Sequence, residues 1–216
     1  MEIAIFDVEG TLTTGSSWRA LRGYFKTYNN PWIYHRFFLG WMPRYFLVKL
    51  GVVSRRKAMS RWMQEEVRLF QGLNCSEFDR MAEWVVEHEM WPQRRKSVIA
   101  ELEAYRQEGV KIVLSSSAYQ PIVEAFGRKV GADAIGSSLV YVHDKVSGIE
   151  IPINAYEEKV AGITRRYEGA RILAAYGDSV SDFPMMALSQ APVAVFPKPK
   201  LRQEALARGW RIVENE

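Results

Sequence analysis

Thiols are almost absent from this chain. Cys75 is the single cysteine among 216 residues, which excludes an internal disulfide framework and fits a reducing compartment, so the expected location is cytoplasmic. Histidine is nearly as scarce. His35, His88 and His143 stand far apart, and Glu87-His88-Glu89 has no matching partners, so no zinc site is expected. No positively charged leader precedes an apolar signal region, and the first apolar run begins at Ile3. Internal repeats, low-complexity tracts and flexible linkers are missing. So is a long uninterrupted apolar run. The aromatic-rich stretch Pro31–Leu50 is broken by Arg36, Pro43, Arg44 and Lys49, whereas a spanning helix wants about 20 mostly apolar residues. It reads as a pair of short helices, buried or interfacial, and peripheral contact with a membrane surface is the alternative. The net charge of +4, with basic residues scattered along the chain, mildly favours anionic ligands and gives no reason to expect nucleic acid.

What is present is enough apolar material for a core, 48% of residues. Short runs rich in Ile, Val and aromatics recur at Ile3–Phe6, Lys111–Leu114, Ile172–Tyr176, Val193–Phe196 and Arg211–Val213, the pattern of parallel strands covered on both faces. Helical segments separate them: one beginning at Pro92 and ending at Gly109, one from Tyr119 to Gly131, one after Ala155 and one after Pro199. The expected fold class is therefore α/β, a doubly wound parallel sheet. The stretch after the first strand breaks the rhythm and reads as helices only. Ser54 is an expected N-cap for a helix carrying Met59, Trp62, Met63, Val67 and Phe70, and Ser76 with Asp79 resembles a capping box. We expect a core domain of residues 1–15 and 92–216 and an inserted all-helical cap of residues 16–91. Leu139–Val142 and Val146–Ile149, joined at Asp144-Lys145, read as a hairpin.

Ligands of open α/β sheets bind beyond the carboxyl ends of the strands. Those ends carry Asp7-Val-Glu-Gly-Thr11, Ser115-Ser-Ser117 and Gly177-Asp-Ser-Val-Ser-Asp182, and Lys159 opens a helix between the last two. Parallel strands would gather several carboxylates, hydroxyls and an ammonium at one edge. Crowded carboxylates repel, and a divalent cation relieves them. Oxygen donors suit Mg²⁺, which keeps waters and meets a substrate phosphate. A carboxylate can attack phosphorus, and a neighbouring carboxyl can serve as acid and base. Each residue also has an ordinary reading: Asp7 as a turn residue, Ser115 as a helix cap, Lys159 as an exposed lysine, Asp178 and Asp182 as solvated loop groups. All four segments in order are harder to explain that way. Serine hydrolysis is disfavoured, because Ser115-Ser-Ser117 lacks a nearby histidine and the small residues of a nucleophile elbow.

With these residues in view the chain resembles the haloacid dehalogenase-like superfamily, and within it the phosphoserine-phosphatase-like branch with a helical cap. The family's D-x-D-x-T appears as Asp7-Val-Glu-Gly-Thr11, its strand-end Ser/Thr as Ser115, its lysine as Lys159 in Tyr-Glu-Glu-Lys-Val, and its G-D-x-x-x-D as Gly177 to Asp182. The resemblance covers nearly the whole chain. It implies a Mg²⁺-dependent phosphatase acting on a small phosphorylated substrate through an aspartyl-phosphate. Asp7 would be nucleophile and metal ligand, and Glu9 acid/base with its main-chain carbonyl on the metal. Ser115, Ser116 and Lys159 would hold phosphate, and Asp178 and Asp182 would be metal ligands.

Two departures sharpen the expectation. Most phosphatase members carry Asp where this chain has Glu9, whose side chain is longer by about 1.5 Å. That leaves phosphoryl transfer to an acceptor other than water as an alternative. Where phosphoserine phosphatases place a substrate-binding arginine and glutamate, this chain has Gln64-Glu65-Glu66 and Ser16-Ser17-Trp18. Both point away from phosphoserine, and the aromatics between Trp32 and Phe46 point either toward an apolar, lipid-like substrate or simply to a well-packed cap. A non-catalytic phosphate-binding or membrane-associated module is the remaining alternative.

Overall fold

The computed structural model describes residues 1–28 and 30–214. Its strands are β1 (Glu2–Phe6), β2 (Lys111–Tyr119), β3 (Asp133–Ser137), β4 (Leu139–Val142), β5 (Lys145–Ile149), β6 (Arg171–Gly177), β7 (Ala191–Val195) and β8 (Arg211–Val213). Six of them form one sheet in the order β3-β2-β1-β6-β7-β8, every neighbouring pair parallel. Alternation along β1 shows why both faces are covered. Ala4 and Phe6 enter one apolar cluster with α5 (Lys96–Gln107) and α6 (Gln120–Val130), while Ile3 and Ile5 enter the other with α7 (Glu157–Arg166), α8 (Phe183–Met186) and α9 (Pro199–Arg208). This is the expected doubly wound sheet. β3 escapes the sequence reading because Asp133, Gly136 and Ser137 dilute its apolar signal.

Several expected boundaries move. α5 starts at Lys96, not Pro92, because the preceding residues pair with the segment after β1. Thr14 N–H donates to the Gln93 carbonyl (3.0 Å) and Arg95 N–H to that of Leu12 (2.8 Å). β7 stops at Val195, and Phe196 turns away with φ +40°. The hairpin turn is His143-Asp144, one residue earlier than expected, with positive φ at both positions as a two-residue turn requires. Gly131 ends α6 in the left-handed conformation, as expected.

Between β1 and β2 the chain forms α1 (Ser17–Tyr28), α2 (Pro31–Lys49), α3 (Arg55–Glu66), a 3₁₀ turn (Val67–Phe70), α4 (Cys75–Val85) and a π turn (Val86–Met90). The aromatic stretch is one helix, α2, not two short ones. Pro31 sits in its first turn and Asn30 Oδ1 accepts the Trp32 N–H at 3.0 Å. Pro43 is tolerated because the carbonyl it deprives is that of exposed Leu39, where water can bond it. Ser54 occupies the N-cap of α3 but makes no side-chain cap bond. The capping box belongs to Asn74 and Glu77, not Ser76 and Asp79. Asn74 Oδ1 accepts from Glu77 N (2.9 Å), and Glu77 Oε2 accepts from Asn74 N (2.8 Å).

A buried carboxyl ties these helices to the sheet. Tyr34 of α2 donates to Glu66 Oε1 at 2.6 Å, and Tyr119 at the end of β2 donates to Oε2 at 3.0 Å. Burial raises the Glu66 pKa to about 7, against the pull of the two tyrosines. A carboxyl whose pKa is higher folded than unfolded holds its proton better in the fold. Its contribution is therefore full below the unfolded value of 4.5 and is lost as pH climbs toward 7. The loss should be on the order of 3 kcal/mol. Urea unfolding of Glu66→Gln against the parent should show a flatter stability profile between those pH values; parallel profiles would remove the assignment.

Candidate active site

Register puts the site together. Phe6, the last residue of β1, pairs with Leu114 of β2 and Tyr176 of β6, so Asp7, Ser115 and Gly177 stand level at the carboxyl edge. The order of strands reverses between β1 and β6, where a crevice opens in doubly wound sheets. Asp7 is fixed by its backbone, whose N–H donates to the Tyr176 carbonyl at 3.0 Å. Its Oδ2 accepts from the Thr11 hydroxyl at 3.0 Å and its Oδ1 from Lys159 Nζ at 2.7 Å. Lys159, buried at the start of α7, also donates to Asp182 Oδ1 and the Ser115 carbonyl, both at 2.7 Å. Asp182 Oδ2 receives the N–H and hydroxyl of Ser179, each at 3.0 Å, so the turn after β6 is self-bonded.

Glycine is required twice here. A Cβ on Gly10, whose φ is +94°, would lie 2.2 Å from Asp178 Oδ2, and one on Gly177 would lie 2.5 Å from the Asp182 Cβ. These close approaches set Asp7, Asp178 and Asp182 within one buried cluster, with a carboxylate oxygen from each lying within 4.8 Å of the others. Burial, then the charge of Asp182, push the Asp7 pKa up to about 8, with Lys159 pulling it back. Burial likewise raises Asp178, which Lys198 opposes. Lys159 is lowered by burial but raised more by Asp182 and Asp7, so its net direction is up and it stays charged. Three buried carboxylates thus face two ammonium groups. Carboxyl groups that resist ionising together, and an all-oxygen donor set, fit a hard divalent cation.

Of the residues expected from sequence, the fold brings Asp7, Ser115, Lys159, Asp178 and Asp182 together. Ser115 and Ser116 lie within β2, not in a loop beyond it, where the pairing to β3 breaks register between Ser115 and Tyr119. The Glu9 carboxylate is not one of the three that cluster, although the charge of Asp178 acts on it. Its Oε1 accepts the Ser17 N–H at 2.5 Å, at the first turn of α1, a favourable place for negative charge. Burial raises the Glu9 pKa, with the Ser17 bond acting in the opposite direction.

Sequence reasoning missed three polar residues. Asn154, buried before α7, donates from Nδ2 to Ser115 Oγ (3.3 Å) and to the carbonyls of Ser116 and Ile135 (2.9 Å each). Lys198 Nζ pairs with Asp178 Oδ2 at 2.5 Å. Arg95 donates to the Gly10 carbonyl at 3.4 Å, its guanidinium lying 3.8 Å from the centre of the Phe196 ring. Asn154 had a signal, a lone amide in the apolar run Ile151–Ala155; the two cations had none beyond their charge.

Above this edge the helices leave a cavity of about 490 Å³ lined by Trp18, Phe38, Trp41, Tyr45 and Trp62. The last three also line a broader cleft of about 970 Å³ that reaches Tyr156, Val180 and Lys200. Val180 belongs to the turn between Asp178 and Asp182, so the cleft reaches the turn that carries two of the carboxylates.

Comparison with known proteins agrees with the geometry. The "Inhibition of morphological differentiation protein" of Streptomyces azureus is 28% identical, the match covering 76% of this chain and 68% of that protein. A "probable phosphatase" of Mycobacterium tuberculosis is 26% identical, over 76% of this chain and 65% of its own length. A protein of unknown function from Bordetella pertussis Tohama I superposes with a TM-score of 0.81 at 20% identity, covering 99% of this chain and 98% of its own. Phosphoserine phosphatase from T. onnurineus gives 0.58 at 20% identity, over 100% and 90%. The model of the haloacid dehalogenase-like hydrolases matches residues 4–187, and with the sheet order and strand-end carboxylates described above, the chain belongs to that family.

Proposed function

We propose that the protein is a Mg²⁺-dependent phosphomonoester hydrolase working through an aspartyl-phosphate on Asp7. The observation that carries it is the placement of Asp7, held between Thr11 and Lys159 and buried beside Asp178 and Asp182. Asp7, Asp178, Asp182 and the Glu9 main-chain carbonyl would hold the cation, which when bound offsets charge on the phosphate oxygens. Ser115, Ser116 and Lys159 orient the phosphate. An Asp7 oxygen attacks phosphorus as the bond to the leaving oxygen breaks, and Glu9 gives that oxygen a proton. A water then attacks the phosphorus, Glu9 takes its proton, and the bond to Asp7 breaks to release inorganic phosphate. The raised Glu9 pKa suits a group that must both give and accept a proton.

Residues 16–91 act as the cap that covers this chemistry and selects substrate. The trough of Trp18, Phe38, Trp41, Tyr45 and Trp62 supports a leaving group that is apolar and larger than serine. A purified-protein panel of alkyl, aryl, lysophospholipid and amino-acid phosphates tests this. Free phosphate should appear with Mg²⁺, fastest from the apolar esters, and fall by about 10²-fold or more with EDTA until Mg²⁺ is restored. Silence across the whole panel would remove the proposal. Added alcohols that capture phosphate in place of water would select transfer, the alternative that Glu9 keeps open.

A further inference from the structure

Helix α2 carries large apolar residues on its buried and its exposed faces alike, with Arg36, Arg44 and Lys49 among them. Tyr34 and Trp41 are buried against the other helices. The opposite stripe, at the spacing of successive turns, is Trp32, Arg36, Leu39, Phe46 and Leu50, continued by Val52 in the following turn. Every one of these is exposed, with Trp32 at 69%, Leu50 at 75% and Val52 at 70%. Single exposed apolar residues are ordinary, but a run of five large ones flanking one arginine along a single helix face and the turn after it marks an interaction surface.

Charge says what covers it. From Gly10 to Gln64 the sequence contains no Asp or Glu and ten Lys or Arg, against totals of 25 acidic and 29 basic residues in the chain. The net charge of that segment is +10, so the remainder carries −6. Glu65 reaches back to pair with Arg44 and Arg61, and Glu157 pairs with Arg56. Arg36, Lys49, Arg55 and Lys57, all exposed, enter no ion pair among the described residues. A second copy of this face would set like charge against like charge. A nucleic acid would meet the basic groups but offer nothing to Leu39, Leu50 and Val52. An anionic bilayer satisfies both, with acyl chains beneath the apolar stripe and headgroups around the cations. No helix among the described residues is long and apolar enough to cross a membrane, which leaves α2 lying in the interface plane.

We propose that the exposed face of α2 and the turn after it dock the protein on anionic phospholipid surfaces. The proposal concerns binding alone and stands apart from the reaction at Asp7, so its test uses no turnover as its readout. Sucrose-loaded vesicles of phosphatidylcholine, with or without phosphatidylglycerol, are sedimented with the full chain. The protein should pellet with the mixed vesicles, less with phosphatidylcholine alone, and less as salt is raised. The double variant Leu39→Glu/Leu50→Glu should lose about tenfold or more in partitioning. Its circular-dichroism melt and its hydrolysis of a water-soluble ester should match those of the parent. Parent protein left in the supernatant with mixed vesicles overturns the proposal, as does a double variant that pellets equally well. A parent dimer in analytical ultracentrifugation that the double variant dissociates, without vesicle binding, overturns it in favour of self-association.

Discussion

Asp7→Asn should lower turnover by at least about 10⁴-fold while leaving the fold intact. The substitution is nearly isosteric. An amide at this position keeps an oxygen to accept from Lys159 or Thr11, but it cannot form the acyl-phosphate. It also removes a carboxyl whose ionisation the surroundings already resist, since burial and Asp182 together push the Asp7 pKa to about 8. The variant should therefore melt no lower than the parent, and loss of activity can be separated from loss of structure. The decisive measurement is an acid quench during turnover of a ³²P-labelled ester. Label should remain on the parent chain and be absent from the variant. Turnover by Asp7→Asn within a few-fold of the parent would end the covalent mechanism.

Lys159→Met should be as severe, but for a different reason. Its ammonium is buried between Asp7 and Asp182 and also bonds the Ser115 carbonyl. A thioether of similar length leaves two buried carboxylates unpaired, a loss of about 3–5 kcal/mol when one partner of a buried pair is removed. On the proposed mechanism it also deletes a cation that would face the phosphate, worth about 10²-fold or more in turnover. Chemical unfolding and steady-state rates should thus fall together here, in contrast to Asp7→Asn. Adding Mg²⁺ should recover part of the stability, because a second cation can take up the same carboxylates, and little of the rate. Unchanged unfolding would mean that Lys159 is solvated in solution and is no part of the site.

Much of this could be read before any coordinates. The sheet announces itself because β1, β2, β6 and β7 are buried on both faces, so their sequences are nearly unbroken apolar runs. β3 does not, since Gly136 and the flanking polar residues mask it. The candidate site was legible for similar reasons. Asp7, Ser115, Lys159, Asp178 and Asp182 all follow or face strand ends, and parallel pairing does the rest. What stayed hidden depends on distant partners. Lys198 looks like any surface lysine until β7 sets it beside Asp178. Glu66 looks like one of two adjacent helix carboxylates until Tyr34 and Tyr119 enclose it. A total charge of +4 also conceals that all 55 residues from Gly10 to Gln64 lack an acid.

The splice of Leu12–Thr14 onto Gln93–Arg95 has a wider meaning. It brings the two ends of the helical stretch side by side next to Asp7, so the residues between them make an excursion that touches back at Glu66, against Tyr119, and at Gly72–Asn74, against β5. The entropy of closing such an excursion grows only with the logarithm of its length, about 0.6 kcal/mol per doubling. Exposed segments between those contacts can therefore be lengthened, shortened or resurfaced at little cost to the frame that holds Asp7. One hydrolytic core can thus be refitted to new leaving groups or new surroundings by changing the exposed segments between these junctions.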